Sequence, residues 1–496
     1  MKYYIGIDVG TTGTKSMLID ESGSIIHTAY EGYEVVSEKP DYVEQNPDDW
    51  YKAVKHTVKS CSDCINDKSE IMALSVSAQG GTVVITDKNN KPLRPAISWL
   101  DKRAFEETEE LDATKPDNYY YLKTGWRLER GYNLAEIKWI SKHEPEVFKN
   151  AAKFLSTLDY INLKISGQAM TDYTNQAITN LEDINTKDWD ESIFKDIGIS
   201  REQLPDLKPA GTVIGKITKA ASEEMGLSPN TILVNGGYDQ YCATYGLGAV
   251  KPGDVMLSTG TAWVAIAVTD KLIFDTKSYI SPGLHIIPNL YGIMASLETG
   301  GISLEWFKNK ITSDESYKNI DVKAGEKNEG ANGLIFYPHF SGSTCPTWSS
   351  KSKGTFLGLT LYHDRYDMAR AIMEGVIFEI NRIFEVLRSK GIEMKSIKLV
   401  GGASKSDLWT QLIADITQIP VERYSNADAA AIGACMIAAV GDGAFDSFEG
   451  ACKSFKQESL MVYPNADKKE VYLKIYSQYK KGFDYLRNFY TDGNDA

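Results

Sequence analysis

The chain lacks most features that mark secreted, membrane or nucleic-acid-binding proteins. Only six cysteines occur in 496 residues: Cys61, Cys64, Cys242, Cys345, Cys435 and Cys452. Their scatter argues against a disulfide framework and for reduced thiols. Cys61 and Cys64 form a Cys-x-x-Cys, but no second pair completes a zinc site, and the six histidines are equally scattered. No apolar run is long enough to span a bilayer. No charged-then-apolar leader precedes the first strand, so a cytoplasmic location is expected. Basic clusters are absent and the net charge is -13, so neither nucleic acid nor an anionic membrane is expected as a partner. What remains is 42% hydrophobic and 24% charged, the balance of a globular enzyme with room for two or three cores.

Two stretches share one pattern. Ile5-Gly6-Ile7-Asp8-Val9-Gly10-Thr11-Thr12-Gly13-Thr14-Lys15 reads as strand, tight turn, strand, and Asp254 to Val268 repeats it around Thr259-Gly260-Thr261. A turn of small and hydroxyl residues gathers backbone N–H groups and hydroxyls at one point, which suits a phosphate. Asp8 ends the first strand, where a carboxylate can hold magnesium through its waters. The stretch is not a P-loop, because Lys15 follows Thr14 and the next residues are β-branched, not helical. It is not a dinucleotide fingerprint either, since Gly10-Thr11-Thr12-Gly13 has the wrong spacing. An ordinary hairpin turn is the plain alternative for either copy alone.

Strands and helices alternate along the rest of the chain, which predicts an α/β architecture. Residues 48–66 read as an amphipathic helix with Trp50, Val54 and Val58 on one side. Helices are predicted over 133–143, 364–388, 408–418 and 428–440, and the tail after Phe489 is expected to fray. The Gly/Pro-rich run Gly246 to Gly253 suggests a boundary, giving domains 1–246 and 247–496.

Three further sites stand out. Gly236-Gly237-Tyr238-Asp239-Gln240 follows a strand, so Asp239 is placed to take a proton from a hydroxyl, or merely to cap the next helix. Val400-Gly401-Gly402-Ala403-Ser404 leaves a gap free of side chains for a flat base or sugar, or is a plain turn. Gln79-Gly80-Gly81 with Trp99, Asp101 and Arg103 suits a polyhydroxylated ligand, or is a core tryptophan beside a surface ion pair.

Taken together these pieces resemble the FGGY family of carbohydrate kinases from Tyr4 to about Gly443. The resemblance rests on Gly6 to Thr12, Glu44-Gln45-Asn46-Pro47 with Trp50, Leu93 to Trp99, and Asp101-x-Arg103. It continues through Gly237-x-Asp239-Gln240, Ser258 to Thr261, Gly354 to Leu359, Glu374-Gly375-Val376, and Gly401 to Ser404 with Trp409 and Gln411. It implies two ribonuclease-H-like domains of the actin and sugar-kinase type with a cleft between them. It implies phosphoryl transfer from ATP with Mg²⁺ to a hydroxyl of a small sugar or polyol, and a homodimer as the family-level expectation. Asp239 would be the general base and Asp8 would lie by the magnesium. Gly10, Thr11 and Thr12 would meet the transferring phosphate, and Thr259, Gly260 and Thr261 the others. Gly401, Gly402 and Ala403 would form the adenosine slot, with Gly301 on its other side. Gln79, Gly80, Gly81, Trp99, Tyr132 and Gln240 would border the acceptor.

The chain departs from the family at two places. Xylulokinases typically carry Met-His after the Gln79 equivalent and glycerol kinases Arg-Glu; here Gly80-Gly81 follows, which is expected to enlarge the pocket. Relatives usually carry Glu-Arg before the proline matching Pro346, where this chain reads Thr344-Cys345. On overall resemblance the expected acceptor is a ketopentose such as D-xylulose. The alternatives are another acceptor (a hexulose, polyol or sugar acid), or a non-catalytic or regulatory ATP-binding protein of the same fold.

Overall fold

Burial patterns along the chain explain its two large sheets. A computed structural model describes residues 1–425, 428–455 and 457–492. The chain packs into two compact units. The first holds residues 1–250, 282–291 and 428–455, and the second holds 251–281, 292–425 and 457–492. A single cut after residue 246 was the expectation. Instead the helix Ala429–Gly441 returns to the first unit. The physical reason is glycine. A Cβ on Gly6 would lie 2.1 Å from the Ala431 carbonyl, and one on Gly433 would lie 2.0 Å from that of Cys242. Backbones therefore meet where side chains would hold them apart.

In the first unit the strands of the large sheet are β1 (Tyr3–Val9), β2 (Gly13–Asp20), β3 (Ile25–Gly32), β4 (Ile71–Ala78), β5 (Val213–Lys216) and β6 (Ile232–Tyr238). They form one sheet in the order β5-β6-β4-β1-β2-β3. β1, β4 and β6 run parallel, and the β1–β2 hairpin is antiparallel with Val9 opposite Thr14. β4 is buried almost throughout, as a central strand covered on both faces must be. The helix Pro47–Asp63 buries Trp50, Val54 and Val58 as the pattern predicts, with Asn46 capping its N-terminus and Pro47 in its first turn.

The second unit repeats the plan. Six strands of its large sheet are β7 (Asp254–Thr259), β8 (Trp263–Thr269), β9 (Tyr291–Leu297), β10 (Ser396–Gly401), β11 (Val421–Tyr424) and β12 (Ser459–Val462). β7 pairs antiparallel with β8 and parallel with β10, and β10 pairs parallel with β11. The long helix Arg365–Ser389 starts at a capping box on Asp364 and ends by Gly391 in the left-handed region. Several helices were not expected, the longest of them at the C-terminal end of the described residues. Lys469–Asp492 runs past Phe489, and residues 493–496 lie outside the described part. It buries Tyr472, Tyr476, Tyr479 and Phe483 against the core of this unit.

Candidate active site

The parallel strands of the first sheet decide where its chemistry sits. Asp8 lies opposite Ser77, and Ser77 lies opposite Gly237. Asp8 and Asp239 thus stand at the same, C-terminal ends of strands that flank β4, the position at which open α/β sheets bind ligands. Asp239 begins the helix Asp239–Gly246 while Tyr238 occupies the cap, so Asp239 does not serve as the cap residue. Its Oδ1 is sealed from solvent and has no hydrogen-bond partner among the described residues. Burial pushes the Asp239 carboxyl up to about 7, the nearby Asp8 charge adds to the rise, and hydrogen bonds from Gln240 oppose it. Burial likewise raises Asp8 to about 6, against a hydrogen bond from Ser77 Oγ at 3.0 Å and the charge of Lys15.

Glycines let this arrangement form. A Cβ on Gly236 would sit 1.8 Å from the Val76 carbonyl, and one on Gly237 would sit 2.6 Å from the Ile286 side chain. Thr174 Oγ1 accepts from the Tyr238 N–H at 2.9 Å and fixes the strand end.

The turn Gly10–Gly13 closes through a Gly10 N–H to Gly13 carbonyl bond of 3.0 Å, and Thr12 projects into solvent. Thr11 ties this turn to the expected acceptor residues. Trp99 Nε1 donates to Thr11 Oγ1 at 3.1 Å, Gln45 Nε2 donates to the Thr11 carbonyl at 2.8 Å, and Gln79 Nε2 donates to Gln45 Oε1 at 3.0 Å. Gln79 Oε1 is a second buried acceptor without a partner. Tyr132 precedes the helix Asn133–His143 and meets Trp126 edge-on at 5.9 Å. The Tyr238 ring faces Gly80.

Two expectations about this region change. Trp99 is 44% exposed, while Asp101 and Arg103 are a buried ion pair joined at 2.7 Å. The pair is thus scaffold that holds the loop carrying Trp99, the reverse of a core tryptophan beside a surface pair. The glycine pair does not simply leave space. A Cβ on Gly80 would lie 2.8 Å from Ile178 and 3.1 Å from Tyr238, and Gly81 sits at φ +68. Neighbouring side chains fill the room expected at Gly80.

The second unit contains a cavity of about 880 Å³. The β7–β8 turn supplies Thr259, Gly260 and Thr261 to its wall, and Gly301, Gly402 and Ala403 also line it. Local bonds hold these pieces together. The Gly402 N–H donates to the Thr259 carbonyl at 2.7 Å, the Ala403 N–H donates to Thr259 Oγ1 at 3.0 Å, and the Gly301 N–H donates to the Gly260 carbonyl at 3.2 Å. Gly401 needs its φ of +98, and a Cβ on Gly301 would lie 2.2 Å from the Gly260 carbonyl. Sequence reasoning missed Leu304, Tyr317, Asp321 and Val322, which also line the cavity. These side chains come from two ordinary helices, Gly301–Lys310 and Tyr317–Gly325, with no local motif to mark them.

Among the described residues, no cluster of three or more His, Cys, Asp or Glu could hold a metal. Asp8 and Asp239 alone still fit magnesium, which binds through one or two carboxylates and keeps water and phosphate as its other ligands. The Asp8 charge that raises Asp239 is one that a divalent cation would offset. No helix is long and apolar enough to cross a membrane among the described residues.

Comparison with known proteins covers both units. Residues 3–246 match the model of the FGGY family of carbohydrate kinases, N-terminal domain, and residues 255–441 match the C-terminal domain of the same family. The chain is 31% identical to a xylulose kinase of Bacillus subtilis (strain 168), over 100% of this chain and 98% of the relative. It matches the solved structure of ligand-bound xylulose kinase from Lactobacillus acidophilus with a TM-score of 0.93 at 26% identity, over 99% of this chain and 100% of the other. A gluconate kinase from Lactobacillus acidophilus matches with a TM-score of 0.92 at 26% identity, over 99% of each chain.

Proposed function

The chain belongs to the FGGY family of carbohydrate kinases, and we propose that it transfers the γ-phosphoryl group of ATP to a hydroxyl of a ketopentose, with D-xylulose the first candidate. The observation that carries the reading is Asp239 Oδ1, a buried carboxylate oxygen without a partner on a group titrating at about 7. Such a group can accept a proton from an alcohol near neutral pH. Phosphoryl transfer asks for a positioned nucleophile and neutralised charge more than for covalent catalysis.

In this reading the first unit binds the acceptor and activates it. Asp239 orients the hydroxyl and takes its proton. Gln79 Oε1 accepts from a second hydroxyl, Trp99 packs on the C–H face of the sugar, and Gly80, Gly81, Tyr132 and Gln240 border it. Gly10, Thr11 and Thr12 hold the transferring phosphate through backbone N–H groups and hydroxyls. Magnesium, when bound, would neutralise phosphate charge, with Asp8 holding it through water. The second unit binds the nucleotide: Thr259, Gly260 and Thr261 by its phosphates, and Gly301, Gly401, Gly402 and Ala403 around the adenosine. ATP supply places the reaction in the cytoplasm.

Gluconate is the second reading, because a gluconate kinase matches the fold as well as a xylulose kinase does. The test is an ATP-consumption screen with D-xylulose, D-ribulose, D-fructose, glycerol and gluconate as acceptors. The proposal expects kcat/KM for D-xylulose to lead the panel. A lead by gluconate favours the second reading, and turnover with none of them contradicts both.

A further inference from the structure

The cavity of the second unit has a chemically mixed lining. It includes the turn Thr259–Thr261, the apolar surfaces of Leu304, Tyr317, Val322 and Leu408, and the charged Glu305, Lys318, Asp321, Lys405 and Asp407. A flat nucleobase belongs against apolar side chains, and phosphates belong against N–H groups. Resting on the nucleotide reading above, this assigns the base to the part of the lining that carries Leu304, Tyr317, Val322 and Leu408.

Asp321 differs from the other two carboxylates of the lining, Glu305 and Asp407, in not being exposed. It lies on the helix Tyr317–Gly325 next to Val322, half-buried, and lines the cavity itself. Ser406 Oγ accepts from the Trp409 N–H at 2.9 Å, which leaves its own proton to donate to Asp321. Burial raises the Asp321 carboxyl and the Asp407 charge raises it further, while the Ser406 hydrogen bond supports the ionised form. A carboxylate in this part of the lining offers acceptors only, and adenine presents its exocyclic amino group as a donor.

We propose that Asp321 selects the nucleobase by accepting a hydrogen bond from the exocyclic amino group of adenine. A site with a charged acceptor disfavours a ligand that leaves it unpaired. ATP is therefore preferred to purine riboside triphosphate, which is ATP without the amino group.

The experiment compares kcat/KM for these two nucleotides at a saturating acceptor, in the wild type, Asp321→Ala and Asp321→Asn. In parallel, the wild type is photolabelled with 8-azido-ATP and the labelled peptide is mapped. In the wild type the preference for ATP is expected to be about ten- to a hundredfold, the range for a hydrogen bond to a charged group. In Asp321→Ala it falls to near unity with KM for the acceptor unchanged, and Asp321→Asn, which keeps a carbonyl acceptor, retains part of it. Label within 301–325 or 402–409 together with a preference that survives in Asp321→Ala, or is missing from the wild type, overturns the role of Asp321 alone. Label confined to other peptides overturns the nucleotide reading of this cavity, and the inference with it.

Discussion

Asp239 carries two opposed effects that one substitution separates. Its carboxyl titrates at about 7 in the folded chain against an ordinary value of 3.8. The folded state therefore holds this proton more tightly than the unfolded chain does. The stability it lends is full below pH 4 and is lost as pH rises through 7. In metal-free buffer, Asp239→Asn should raise Tm at pH 8, and the gap should close toward pH 4. A lower Tm at pH 8 would mean that the ionised carboxylate is held by favourable contacts. Activity runs the other way, since the base must be ionised. The wild-type kcat/KM for the acceptor should climb between pH 6 and 8, with the inflection near 7 for the free enzyme. A flat profile over that range removes Asp239 as the titrating base. Thr261→Val removes a hydroxyl from the cavity wall and should raise KM for ATP more than KM for the acceptor; equal changes in both would mean the hydroxyl does not meet the nucleotide.

Among secondary-structure elements, the two hairpins were legible because their signal is local. Small residues and hydroxyls between apolar strands can do little else, and both turns close where the sequence places them. The capped helix at Asp364 was legible for the same reason. The helix Lys469–Asp492 was missed, although Tyr472, Tyr476, Tyr479 and Phe483 recur every three or four residues and are buried. Their tyrosines read as polar in a stretch dense with lysine, which hid the stripe. The cavity wall at 304–322 had no signal, because helical side chains become a site only through tertiary packing. The glycines of the cavity are equally tertiary in origin. Gly301→Ala would press a Cβ on the Gly260 carbonyl at 2.2 Å, so the β7–β8 turn must shift. ATP affinity measured by titration calorimetry should fall at least about tenfold, while acceptor affinity holds; unchanged ATP affinity would separate that turn from nucleotide binding.

For the chain in its entirety, family and fold class could be read from the order of motifs, whereas the division of labour between segments could not. Nothing local in 428–455 announces that it packs with residues 1–250, since the close contacts at Gly6 and Gly433 join positions more than 180 residues apart. The identity of the acceptor is hidden by the same physics. Gly80 looks like open space in sequence, yet Ile178 and Tyr238, distant in the chain, fill it. The reading that matters most is acceptor phosphorylation with Asp239 as its base, and one measurement addresses it: transfer of labelled γ-phosphate from ATP to D-xylulose by wild type and Asp239→Asn, with ATP binding followed by calorimetry on the same samples. The account predicts labelled sugar phosphate from the wild type, a loss of about two to four orders of magnitude in the variant, and equal ATP affinity in both. Wild-type transfer that survives in Asp239→Asn at near-normal rate would contradict it.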